Sequence, residues 1–144
     1  MLELVVRYIH FLGIIVLAST LVAEHLLIER TMRQTAFKKL LILDAIYGIS
    51  AIVTLGAGLS LWLLVGKPSS FYSSNFVFHI KLSMFIGIGL LSAFPTVYFL
   101  RQRHVNTDTI AIPAYIVHII LTEILLLLIM PMLGVLIARG IGNH

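Results

Sequence analysis

Residues 76–100, "FVFHIKLSMFIGIGLLSAFPTVYFL", form an apolar run whose only charged or basic members, His79 and Lys81, stand near its start. About 20 predominantly apolar residues cross the hydrocarbon core of a bilayer as a helix, so this run spans it with room to tilt. Water is absent there, and a spanning segment must satisfy its own backbone groups, which makes it α-helical. The alternation expected of a membrane β-barrel strand is missing. Pro95 interrupts the run and frees the carbonyl of Leu91, so a bend is expected.

Segments 4–28, 42–66 and 110–138 read the same way. Pro131 frees the carbonyl of Leu127 in the last of them, whereas Pro113 stands near a helix start, where proline is tolerated. The expected fold is all-α: an integral-membrane, up-down four-helix bundle forming one domain over residues 1–144. Composition agrees, with 60% hydrophobic and 11% charged residues and a mean hydropathy of +1.07. No cysteine is present, which excludes disulfides, thiolate metal sites and attached c-type haem. The first run follows an acidic residue, is longer than a signal-peptide core and meets no small-residue processing site. It reads as a span, not a cleaved leader.

Charge sets the orientation. Arg30, Arg33, Lys38 and Lys39 follow the first run, and Arg101 and Arg103 follow the third, whereas the other side carries Lys67 and Arg139. The positive-inside rule puts the first and third connections in the cytoplasm and both termini outside. The expected setting is the bacterial inner (cytoplasmic) membrane, with the lipid bilayer as partner. The net charge of +4 belongs to these flanks, so nucleic acid is not an expected partner.

Ionisable residues inside spans cost on the order of 3 kcal/mol each at mid-bilayer and usually mark a site. Here they fall in two layers. The outer layer has Arg7, His10, His79 and Lys81; His79 and Lys81 are about 200° apart on a helix. The inner layer has Glu24, His25, Asp44, Tyr47 and His118, with Glu123 deeper. Glu24, His25 and Asp44 are expected to be solvated at the interface. Glu123 must be protonated, paired or hydrated. His104 and His144 lie outside the spans. Trp62, Tyr98 and Tyr115 read as interfacial aromatics. Ser50, Thr54, Ala57 and Gly58, with Gly87 and Gly89, are small residues suited to close helix packing.

Histidines on facing helices can ligate haem iron. His10 with His79, flanked by Arg7 and Lys81 for the propionates, form one candidate set for haem b. His25 with His118 form another. Copper suits His and Met ligands as well, and a proton relay through Glu123 is a further option.

"YIHFLGIIVLASTLVAEHLLIER" and "FHIKLSMFIGIGLLSAFPTVYFLRQR" resemble helices of the HemJ-type protoporphyrinogen oxidases. Over its whole length the chain resembles an uncharacterised family of small bacterial membrane proteins. The shared features are "DAIYG" (Asp44 to Gly48), "FHIKL", a glutamate in helix four and "ARGIG" at 138–142. That family distantly resembles HemJ and the CopD membrane domain. The resemblance implies haem b, with His10 and His79 as metal ligands and Lys81 as a further cofactor contact. It also implies Lys81 and Glu123 as catalytic residues and a tetrapyrrole substrate such as protoporphyrinogen IX. In the second half of the His-x-Lys helix, "SAFPTVY" stands where HemJ proteins carry another histidine. The leading expectation is a tetrapyrrole-binding oxidoreductase. The alternative is a non-enzymatic transport or copper-handling protein, and either could be a homo-oligomer.

Overall fold

Four long helices carry the apolar runs: α1 (Leu2–Leu27), α2 (Gln34–Ser60, prolonged by a π-helical turn, Leu61–Val65), α4 (Phe76–Gln102) and α5 (Ala114–Ala138). A short α3 (Ser69–Ser73) lies between α2 and α4. The computed structural model describes residues 1–143; His144 lies outside the described residues. All four long helices are long and apolar enough to cross a membrane. α1 packs on α2 and α4 on α5, and the square closes through α1–α5 and α2–α4. α1 and α4 therefore stand across a diagonal. Leu26, Ile52, Leu64, Leu90 and Leu128 are exposed, as lipid-facing residues must be.

Helix limits differ from the apolar limits for local reasons. α2 starts at Gln34, eight residues before position 42, because "QTAFKKLL" contains no helix breaker. Phe37 and Leu40 give its first turns a buried face, and Lys38 and Lys39 point outward. α5 starts at Ala114 instead of 110, since Pro113 disfavours the helical conformation in the residue before it.

The released residues form a strand, β2 (Thr109–Ala111), antiparallel to β1 (Thr31–Arg33), with Thr31 opposite Ala111, Met32 opposite Ile110 and Arg33 opposite Thr109. The spans are all-α as expected, and this two-stranded clasp between the basic connections adds to them. Met32 and Ile110 turn inward and are buried. Gln34 Nε2 donates to the carbonyls of Val105 (2.9 Å) and Thr107 (2.8 Å), and Arg30 Nε to that of Ile112 (2.9 Å).

The opposite end is tied by the motif at 138–142. Gly140 (φ 73°) adopts the left-handed conformation that ends α5, and the Ile141 amide reaches back to the Leu136 carbonyl (3.0 Å). The Gly142 carbonyl accepts from the Phe76 amide (3.0 Å). Fully buried Asn75 caps α4 by accepting from the Phe78 amide (3.1 Å), and its Nδ2 donates to the Ile141 carbonyl (3.2 Å). Trp62 Nε1 donates to Ser73 Oγ (3.2 Å) over an edge-on contact with Phe78.

Of the expected small-residue contacts, Ser50, Thr54 and Ala57 are buried on one face of α2. Gly13 lets α1 lie directly on Thr54, and a Cβ at Gly58 would come within 3.1 Å of the His10 ring. Gly87 and Gly89 are a correction: a Cβ at either would meet nothing within 4 Å, so they face away from every neighbour. Pro95 and Pro131 both lie inside continuous helices.

Candidate functional site

Glu24 of α1, Asp44 of α2 and Glu123 of α5 are buried in the same region of the bundle, with Tyr47 of α2 and Thr96 of α4 beside them. Glu24 and Glu123 are each 1% exposed and Asp44 is 7% exposed. The Glu24 and Asp44 carboxyls are within hydrogen-bonding reach, and Glu123 lies in electrostatic range of both. Thr96 Oγ1 donates to Asp44 Oδ1 at 3.2 Å. One carboxyl oxygen of Glu24 and one of Glu123 are buried without any partner, as is Nδ1 of the neighbouring His25.

Local sequence puts them there. Asp44 and Tyr47 share a face of α2 at i and i+3. Because α2 starts at Gln34, Asp44 lies ten residues, about 15 Å, along its helix. The clasp covers the end below. This corrects the expectation of interfacial solvation for Glu24 and Asp44. That expectation assumed a helix beginning near 42 and an open loop, and neither is found. Glu123 is the deep glutamate the sequence pointed to, now with two companions.

No cation reaches the triad among the described residues. Their one ion pair, Glu3 with Arg7, is an exposed one-turn contact on α1. Three bare carboxylates in a low-dielectric interior would cost several kcal/mol each. Carboxyls placed in this way are far cheaper to bury in the protonated form.

The outer-layer residues are arranged differently. His10 Nδ1 donates to the Thr54 carbonyl (2.9 Å), which fixes the proton on Nδ1 and leaves Nε2 free. Lys81 is half-buried, lies in electrostatic range of His10, and ends against α5, where a Cβ at Gly134 would be 3.3 Å from Nζ. His79 is exposed, and its Nε2 donates to the Ser73 carbonyl (2.8 Å). Arg7 is committed to Glu3. Lys81 and Glu123 do not meet: Gly134 is eleven residues beyond Glu123, about 16 Å of helix.

These placements test the haem expectation. His10 turns onto α2 and His79 onto the segment before α4, from helices on opposite corners of the square. The groove between α1 and α2 is a lipid-facing one of about 310 Å³, lined by Ile9, Leu12, Val16 and Val53 among others, and neither histidine enters it. The residues do not fit a shared haem iron. The second pair fares no better, since His118 is exposed while His25 is half-buried. Among the described residues no three His, Asp or Glu side chains are grouped to hold a metal ion.

Sequence reasoning named each carboxyl yet did not join them. The available signal was three acids in the inner halves of three spans without a matching cation.

A family model described as "Predicted membrane protein (DUF2214)" matches residues 2–142. No curated protein and no solved structure matches the chain.

Proposed function

The chain belongs to the DUF2214 family of predicted membrane proteins, and from that premise we propose a proton-handling protein of the bacterial cytoplasmic membrane, acting in non-enzymatic transport. Glu24, Asp44 and Glu123 bind the proton, Thr96 orients Asp44, and Tyr47 closes the site on the α2 side. One observation carries this reading: the three carboxyls are buried together with unpartnered oxygens and no counter-cation among the described residues. Intramembrane carboxyls of this kind serve as proton or cation sites. The resemblance to the oxidases enters only through Glu123, as a group that carries a proton.

Infrared spectroscopy of the reconstituted protein tests it through the carbonyl stretch of protonated carboxyls. A band is expected at neutral pH that weakens in Glu24→Gln and again in Glu24→Gln/Glu123→Gln. A band that vanishes when sodium replaces choline in the buffer would make the ligand a metal cation. No change in either variant would overturn the reading.

A further inference from the structure

We infer that protons reach the carboxyl triad from the outer side, along a buried polar face of α2 that runs from His10 and Thr54 through Ser50 to Tyr47. This rests on the proton-site reading above and assigns its access route.

Both ends of the bundle bear on the direction. Towards the cytoplasm the triad is covered by Met32, Phe37, Phe99, Ile110, Ile112 and Ile116, all buried and all part of the apolar core. The clasp locks this plug in place through β1–β2 pairing and the Gln34 and Arg30 hydrogen bonds. The polar group on this side is half-buried His25, next to Glu24 on α1, whose buried Nδ1 has no partner.

Towards the outer side polar groups continue. Asp44, Tyr47, Ser50 and Thr54 fall within about a third of the circumference of α2 and rise about 15 Å along it. All four are buried. Ser50 Oγ donates to the Tyr47 carbonyl (2.8 Å). Thr54 is 4% exposed, and its Oγ1 has no hydrogen-bond partner. A buried helical hydroxyl usually donates to a carbonyl of the preceding turn, as Thr20 Oγ1 does to that of Val16 (2.8 Å). Thr54 instead leaves its hydroxyl without a partner at the outer end of the route, beside Gly13 of α1. A hydroxyl in that state can accept a proton on one side and pass one on from the other.

At the outer mouth, His10 is fixed by the Thr54 carbonyl with Nε2 free, and Lys81 stands near it. The charged and titratable groups along the route and at the triad are therefore His10, Glu24 and His25 from α1, Asp44 and Tyr47 from α2, Lys81 from α4 and Glu123 from α5. The chain thus describes a buried proton site whose polar α2 face leads towards the outer side.

Sealed membrane vesicles of either orientation, holding the full chain, test the route. The infrared band of protonated carboxyls is followed after a pH step in the bath. In right-side-out vesicles a fast response is expected, slowed about a hundredfold in Thr54→Val, the lower end of what a positioned proton-transfer group contributes. Thr54→Ser should restore it, which separates the hydroxyl from packing. Equal rates in wild type and Thr54→Val, or a faster response in inside-out vesicles, would overturn the route while leaving the triad intact. Absence of the band would overturn the triad reading, and the route with it.

Discussion

Thr96 on α4 gives its hydroxyl proton to Asp44 on α2 at 3.2 Å, across the pair of adjacent long helices that touch least. In lipid the association of helices has little hydrophobic drive, so packing and such hydrogen bonds set it. Thr96→Val, of nearly equal volume, should destabilise the protein by about 1 kcal/mol, the net worth of one buried hydrogen bond. Thr96→Ser should be near wild type. Thermal unfolding in detergent reads both.

At Gly13, α1 lies directly on Thr54 of α2, where an added methyl group would overlap Thr54 Oγ1. Gly13→Ala should cost about 1–3 kcal/mol through overpacking. Thr54→Ala in the same chain should return part of that loss. A double-mutant cycle with a coupling on the order of 1 kcal/mol checks it, and strict additivity would refute the contact.

The glycines of the 138–142 motif should differ from each other. Gly140→Ala carries only the left-handed backbone penalty, about 1–2 kcal/mol. Gly142→Ala adds a collision, because its Cβ would lie 2.8 Å from Val77 Cγ2 and 2.9 Å from Asn75 Oδ1. The expected order of melting temperatures is wild type, then Gly140→Ala, then Gly142→Ala.

Much of this was legible in the sequence, and the parts that were not have physical causes. Span number, helical state and alternation follow from hydropathy, which a bilayer enforces without exception at residues such as Leu90 or Leu128. The clasp escaped because three-residue strands carry no periodicity, and Thr109–Ala111 looks like the first turn of an apolar helix until Pro113 is weighed. The site escaped for a related reason. Whether Asp44 is solvated or buried depends on where α2 begins and on what covers that end, and both are tertiary facts. The sharing of a site by Glu24, Asp44 and Glu123 is settled by rotation of three helices about their axes, which weak amphipathicity in an apolar chain does not encode. His79 and Lys81 diverge as the helical spacing demands, and only packing reveals that Lys81 turns towards α5.

Orientation can be read directly, since the chain has no cysteine. Ser70→Cys, in the exposed connection that holds α3, should react with a membrane-impermeant maleimide in intact spheroplasts. Lys38→Cys, exposed on the first turns of α2, should react only after permeabilisation. The reverse pattern would invert the bundle.

The placement of His10 and His79 makes a spectroscopic prediction as well. Titrating the purified protein with haemin should give the same Soret maximum and the same dithionite-reduced spectrum in His10→Ala, His79→Ala and wild type. Loss of a six-coordinate spectrum in both variants would show that the two imidazoles meet on iron.

Hydrogen bonding in the β1–β2 clasp joins residues about eighty positions apart, one strand from each helical hairpin. It can form only when both hairpins have been inserted, so it acts as a latch on the finished assembly and plays no part in making either half. A chain divided in the connection after Gly66 would leave one strand on each fragment. Co-expression of the two pieces would then be a complementation system, with the clasp as the specific seam by which separately made halves recognise each other.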